Sequence, residues 1–263
     1  MPDLFYLVRK WWKQIAAFVV ICVLLVAAVL FFKPSKYLSV ATALPASSYA
    51  TDKASVFNQN IQILYSAMGT PDDLDMIVGT AHLDTVYISV AKQYDLAARY
   101  KLKEQGDAAI RKAASRLRSN SKVMKSEFSE LKVKVWDVDR LLAPELANAI
   151  MNKLQSIHQD LQNTNNILLI KSLQGGKEKL VTQMIDTAGA PDRSSQIGQY
   201  DKLINEYQLL VDNKTPVLIT VEPARVTDWP DKPKRLPILA ATVVLSLLFG
   251  LLLALLLEKR KDL

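Results

Sequence analysis

The chain has 263 residues, half of them hydrophobic, and a formal net charge of +7. Much of the excess positive charge lies near the two ends, and no basic run is interleaved with aromatic residues, so the composition argues against nucleic-acid binding. The single cysteine, Cys22, lies in an apolar stretch. An intrachain disulfide framework and a cysteine-based metal site are therefore excluded.

Two uninterrupted apolar stretches lie at the two ends, Ile15–Phe32 and Leu236–Leu257, and neither contains a charged residue. Each reaches the roughly 18 residues that indicate a membrane-spanning helix. The first is longer than the roughly 7–15 residues of a signal-peptide core, and it ends in Phe31-Phe32-Lys33 rather than in small residues. We therefore predict two uncleaved transmembrane helices at 15–32 and 236–257.

These helices divide the rest of the chain into two short tails, 1–14 and 258–263, and a central domain, 33–235. Each tail carries three basic residues, and the positive-inside rule then favours cytoplasmic tails with the central domain on the other side. Basic residues also flank the membrane on the domain side, where anchoring to anionic head groups is sufficient to explain them. These are Lys33, Lys36, Lys232, Lys234 and Arg235.

The central domain has an α+β pattern. Alternating apolar residues predict strands at Lys36–Leu44, Phe128–Val138 and Pro216–Val221. Val123–Lys125 is expected to pair with the second of these as a hairpin. Helical spacing is found at Ser55–Met68, from Pro71 onward, and at Ala108–Leu117. We predict a small mixed sheet flanked by helices.

A long helical arm is predicted over about 145–211. Apolar residues recur there at 3.5–3.6 spacing after Pro144, and Gly175-Gly176 is expected to break or bend the first helix. The apolar positions are Leu146, Ile150, Leu154, Ile157, Leu161, Leu168 and Leu169. Much of the remaining surface is polar, so we interpret the arm as packing against copies of itself; the alternative is a monomeric helical hairpin.

Prolines cluster before the second apolar stretch, at Pro223, Pro230, Pro233 and Pro237. We predict that this linker is extended and semi-rigid, and that it fixes the domain against the membrane. The alternative is that Pro237 only marks a helix start.

Four small residues lie four positions apart in the second apolar stretch: Thr242, Ser246, Gly250 and Ala254. Such a stripe lets membrane helices approach closely, so we predict a packing contact with another membrane helix in the same or a neighbouring subunit. The alternative is chance in a helix rich in leucine and alanine.

The whole layout resembles the Wzz-type chain-length determinant family of polysaccharide co-polymerases. The resemblance is carried by KYLSVATAL, by DLDMIVGTAHLDTVYISVAKQYDL, by LKVKVWDVD running into APELANAIMNKL, and by LITVEPARVTDWPDKPKRLP before an apolar stretch that ends LLLEKRK. The chain departs from the family pattern at Ala143, where an acidic residue is common.

The resemblance implies regulation without catalysis. Members of the family form rings in the inner membrane of Gram-negative bacteria, with the domain in the periplasm. They set the chain length of O-antigen, enterobacterial common antigen or exopolysaccharide with a Wzy-type polymerase that acts on lipid-linked polysaccharide. Here the resemblance implies a homo-oligomer with neither a cofactor nor a kinase domain.

The residues themselves offer little chemistry. Gly175-Gly176-Lys177 lacks the spacing of a phosphate-binding loop. His82 and His158 are the only histidines, are predicted on separate helices, and are expected on helix surfaces rather than in a metal site. There is no serine-nucleophile motif. Asp72-Asp73 suits a helix start, and Asp137 and Asp139 suit a turn.

Two other hypotheses stay open. The protein could be an adaptor that activates a separate cytoplasmic tyrosine kinase, although no tyrosine follows Tyr207. It could also be an accessory subunit of capsule export. A neighbouring kinase gene would favour the first, and a neighbouring exporter gene the second.

Overall fold

The structure is a computed structural model that describes residues 4–46, 71–186, 191–214 and 216–261. Its helices are α1 (Leu4–Phe32), α2 (Pro71–Thr80), α3 (Asp84–Gln93), α4 (Leu96–Arg99), α5 (Gly106–Ser119), α6 (Leu142–Asp186), α7 (Pro191–Asp212) and α8 (Arg235–Lys261). Its strands are β1 (Lys36–Pro45), β2 (Ser121–Lys125), β3 (Leu131–Asp137), β4 (Leu218–Glu222) and β5 (Pro230–Lys232). The predicted α+β class is confirmed. The helix predicted at Ser55–Met68 lies outside the described residues.

The chain divides into two compact units. One comprises the N-terminal segment to Leu38, Asp137–Arg140 and the segment from Thr227 onward. It contains α1 and α8, which pack together; Arg9–Phe32 and Arg235–Glu258 are each 24 residues long and apolar enough to cross a membrane. The other unit comprises Ser39–Trp136 and Leu141–Val226 and contains most of the sheet and the long helices.

The sheet has the strand order β2-β3-β1-β4, and β5 pairs with the start of β1. The predicted hairpin is found between β2 and β3, with Val123 opposite Val133. The sheet was predicted to be mixed, that is, to contain both parallel and antiparallel pairs. The β1–β4, β1–β5 and β2–β3 pairs are all antiparallel. β1 is therefore paired with segments that come almost 200 residues later in the chain.

The core of the central unit follows the predicted alternation on β3. Leu131, Val133 and Val135 are fully buried, while the intervening Lys132 and Lys134 lie nearer the surface. The apolar stripe at the start of α6 completes this core with Leu146, Ile150 and Leu154. Each fully buried side chain of this size stabilises the fold by about 1.5–3 kcal/mol, so the first turns of α6 belong to the core and not to the arm surface.

Helix α6 runs without interruption for 45 residues, so Gly175-Gly176 does not break it; a bend at these glycines stays a prediction. A β-carbon at Gly176 would lie 3.0 Å from Cε1 of Tyr200 on α7. The missing side chain at Gly176 therefore leaves room for the Tyr200 ring, although a glycine inside a helix costs about 1 kcal/mol relative to alanine. Gly176 marks a close approach of α6 and α7, which form a helical hairpin.

Candidate functional site

The small-residue stripe on α8 faces α1. Ser246, Gly250 and Ala254 are buried, and Thr242 is partly buried. A β-carbon at Gly250 would lie 3.2 Å from Cγ2 of Ile15, so glycine permits the close approach of the two helices. The contact seen is within one chain; a contact of the stripe with a neighbouring subunit stays a prediction.

The two hydroxyl groups of the stripe are satisfied by the helix that carries them. Thr242 Oγ1 donates to the Ile238 carbonyl oxygen at 2.8 Å, and Ser246 Oγ donates to the Val243 carbonyl oxygen at 3.0 Å. In hydrocarbon an unsatisfied hydroxyl is costly. Because both hydroxyl groups bond to carbonyl oxygens of α8, the stripe can contain Thr242 and Ser246 without leaving either hydroxyl group unpaired.

A polar contact joins the start of α1 to the end of α8. The Glu258 carboxylate accepts hydrogen bonds from Lys10 Nζ at 2.5 Å and from Trp11 Nε1 at 2.9 Å, and only 12% of its side chain is exposed. Charge-assisted bonds of this kind are stronger than neutral ones. The sequence placed Lys10 and Glu258 in the two tails, but no local pattern signals a contact across 248 positions.

The groove between α1 and α8 is apolar. Its lining includes Trp12, Ile15, Ala16, Val19, Leu247 and Leu251. Such a surface can hold a hydrocarbon chain or a further apolar helix. Apart from the indole of Trp12, the side chains that line it are aliphatic.

The proline-rich linker is partly paired. Pro230 begins β5 and lies opposite Tyr37 of β1, and Pro237 lies in the first turn of α8. The Lys232–Pro233 peptide bond is cis, and Pro223 follows β4 directly. Sequence reasoning predicted extended chain here but missed β5, because three residues with a proline at the first position give little strand signal. That the linker fixes the domain against the membrane stays a prediction.

The outer surface of the α6–α7 hairpin carries exposed apolar side chains. Leu161 is 57% exposed, Leu168 59% and Leu209 60%. The apolar stripe predicted for α6 thus faces the core only as far as the residues near Leu154, and beyond that point its members face outward.

The α6–α7 hairpin buries both apolar and polar side chains, and Ile170 and Leu210 are among the buried apolar ones. Asn166 is 1% exposed, and neither its amide nitrogen nor its amide oxygen has a hydrogen-bond partner in the part of the chain that the structure describes. Oε2 of Glu206 on α7 is likewise buried without a partner there. Lys177 and Asp201 form an ion pair across the hairpin. The hairpin thus buries an amide without a partner among the described residues, while several of its leucines are exposed.

The two histidines do not come together. His158 is buried, and its Nε2 lies 3.0 Å from Thr80 Oγ1, whereas His82 is exposed. The expectation of a surface position is thus wrong for His158, which packs where α6 passes the end of α2. Among the described residues, no group of three or more His, Cys, Asp or Glu side chains could hold a metal ion.

Two carboxyl groups of the central unit, those of Glu130 and Glu104, have a pKa lowered by a neighbouring lysine. Lys132 Nζ, 2.8 Å away, together with Ser126 holds the pKa of Glu130 below its usual value, and Lys112 does the same for Glu104. A general acid needs the opposite shift. Asp137 Oδ1 accepts a hydrogen bond from the Asp139 backbone N–H at 3.0 Å, which is the predicted turn role.

No protein-family model and no curated protein sequence matches the chain. The fold is similar to that of a structure described as a full-length bacterial polysaccharide co-polymerase, at 14% identity and a TM-score of 0.48, over 100% of this chain and 98% of the other. It is also similar to a fragment of WzzB, a polysaccharide co-polymerase from Salmonella Typhimurium, at 16% identity and a TM-score of 0.36, over 75% of this chain and 100% of the fragment. Both are of the protein class that the sequence resembles.

Proposed function

We propose that this protein is a non-catalytic membrane oligomer that regulates the chain length of a bacterial surface polysaccharide. The polysaccharide would be O-antigen, enterobacterial common antigen or an exopolysaccharide, and the partner a Wzy-type polymerase that extends a lipid-linked chain. The α6–α7 hairpin is the observation that carries the proposal. It exposes leucines along a long surface and buries polar groups, as expected if neighbouring copies cover that surface.

The proposed location is the bacterial inner membrane. Both tails are cytoplasmic and the central domain is periplasmic, because residues 1–14 and 258–263 carry a basic excess and the two helices that could span a membrane flank the central domain. A cysteine at the exposed Ser119, in a Cys22→Ser background, should react with a membrane-impermeant thiol reagent in cells permeable only at the outer membrane. A cysteine at Arg9 is the control and should react only after lysis; the reverse pattern would invert the topology.

The regulatory role is tested by deletion. Without the protein, polysaccharide synthesis should continue, but the length distribution should change from modal to random. Hydrolysis of a glycosidic bond needs two carboxyl groups across a sugar in a concave site, and we interpret the acidic residues of this chain as lying at helix starts and on polar helix faces. Loss of all polymer from a single carboxylate substitution, with the oligomer intact, would replace this proposal by an enzymatic one.

The role of the arm surface is tested by a matched pair. Leu168→Asp places a charge on the outer surface of α6, and Leu83→Asp places one at a similarly exposed leucine, 54% accessible, before α3. The first should reduce the oligomer on native gels and shift the modal chain length; the second should do neither. An intact oligomer and unchanged modal length in Leu168→Asp would contradict the assignment of this surface to subunit contacts.

A further inference from the structure

Five basic side chains gather where α1 ends and α8 begins. We call Lys33, Lys36, Lys232, Lys234 and Arg235 the basic collar. The two segments that carry them, 33–37 and 230–235, contain one carboxylate, Asp231. Lys33, Lys232, Lys234 and Arg235 are exposed, and Lys36 is partly buried.

The fold brings the two halves of the basic collar together although about 200 residues separate them in the chain. Lys36 on β1 is the register partner of Lys232 on β5, and Arg235 Nη2 donates to Ser35 Oγ at 3.2 Å. The pairing of β1 with β5 thus places basic residues from both segments at one point of the fold.

Exposed aromatic and apolar side chains accompany the basic collar. Phe31 is 78% exposed, Phe32 84%, and Leu236 82%. Trp229, next to β5, is 81% exposed. Both candidate membrane spans end here, at Phe32 and Arg235. In a bilayer with a hydrocarbon core of about 30 Å, basic and aromatic residues at the end of an apolar span lie at the level of the head groups.

We propose that the basic collar is a binding surface for the phosphate groups of anionic phospholipids, with the Trp229 indole in the head-group layer. The juxtaposition of Lys36 and Lys232, the link from Arg235 to Ser35, and the surrounding exposed rings fit an anionic lipid surface in charge and in polarity. The proposal is independent of chain-length regulation and of which side of the membrane the domain occupies.

The first test measures the retention of lipid by the purified full chain. Native mass spectrometry gives the dissociation constant of phosphatidylglycerol, with phosphatidylcholine as the neutral comparison. The variant Lys33→Gln/Lys234→Gln/Arg235→Gln should bind phosphatidylglycerol more weakly by about fivefold per residue, and phosphatidylcholine binding should not change. Lys101→Gln/Lys103→Gln/Lys122→Gln removes the same charge from exposed positions of the central unit and should leave both constants unchanged, as should Lys33→Arg/Lys234→Arg.

The second test uses the unsubstituted collar, so it stands even if the triple glutamine variant does not fold. In a chain with Trp11, Trp12 and Trp136 replaced by Phe, Trp229 emission in phosphatidylglycerol nanodiscs should be quenched by lipids brominated near the head group and not by aqueous iodide. Quenching by iodide alone would overturn the proposal, because Trp229 would then face water or an accessible protein surface. Unchanged phosphatidylglycerol binding in a folded glutamine variant would overturn it as well.

Discussion

Substituting Gly250 by leucine tests how closely α1 and α8 must pack. A β-carbon alone at this position would lie 3.2 Å from Ile15 Cγ2 and 3.8 Å from Ile15 Cα, and leucine adds three further carbons. Because the neighbouring atoms include backbone, the helices must separate locally. Overpacking of this kind costs about 1–3 kcal/mol, a factor of roughly 5–150 in the equilibrium between paired and separated helices.

The assay follows the helix pair in the full-length protein. Cysteines at Ser35 and Arg235, whose side chains lie 3.2 Å apart, in a Cys22→Ser background, cross-link with a short bismaleimide while the pair is closed. We expect Gly250→Leu to lose the cross-link at a lower mole fraction of SDS than the parent. Val244→Leu enlarges a position on α8 that is 57% exposed and should match the parent.

The same variants separate the two roles considered for the stripe. If Gly250→Leu loosens the helix pair and also the oligomer on native gels, the stripe supports assembly. If Gly250→Leu loosens the helix pair but not the oligomer, the stripe makes its contact within one chain only. Equal behaviour of Gly250→Leu and Val244→Leu in the SDS titration would refute the close packing at Gly250 altogether.

Three further predictions use the same protein. Glu258→Ala removes the acceptor of Lys10 Nζ. It should destabilise the paired helices by about 1–2 kcal/mol, which is seen as a lower mole fraction of SDS at the midpoint. Asn166→Leu removes a buried amide that has no partner among the described residues. It should raise the free energy of unfolding by about 1–3 kcal/mol, measured as a higher melting temperature in calorimetry. A lower melting temperature would mean that the amide is hydrogen-bonded. Lys132 lowers the pKa of Glu130, so its stabilisation is present above the usual glutamate pKa and is lost as pH falls through the lowered pKa; Glu130→Gln should flatten the acid side of a melting-temperature profile.

Local patterns were sufficient for elements whose burial follows a simple period. The alternation on β3 predicted its buried face, since Leu131, Val133 and Val135 project to one side of the strand. The helix predicted at Ala108–Leu117 is likewise found within α5, which begins at Gly106, a residue with a positive φ of +62°. In both cases the residues that determine the structure are neighbours in the chain.

Structure that depends on contacts between distant residues was predicted wrongly or not at all. Two adjacent glycines predicted a break or a bend, yet α6 continues through them, and the Tyr200 ring of another helix lies where a side chain at Gly176 would be. The apolar spacing of α6 predicted one buried face but did not show that Leu161 and Leu168 face outward. The stripe on α8 was visible in the sequence, whereas its neighbour Ile15 was not.

The pairing of β1 has a consequence for the order in which the chain folds. Ala41 and Ala43 of β1 are fully buried, and β1 leaves the ribosome early, directly after α1. Its partners Leu218–Glu222 and Pro230–Lys232 emerge last among the strands, just ahead of α8. Closing so long a loop is entropically costly and slow. During synthesis, one edge of β1 therefore stays unpaired until nearly the whole central segment has been made. A chaperone that shields strand edges, or rapid insertion of α8, would then limit how much of the nascent chain aggregates.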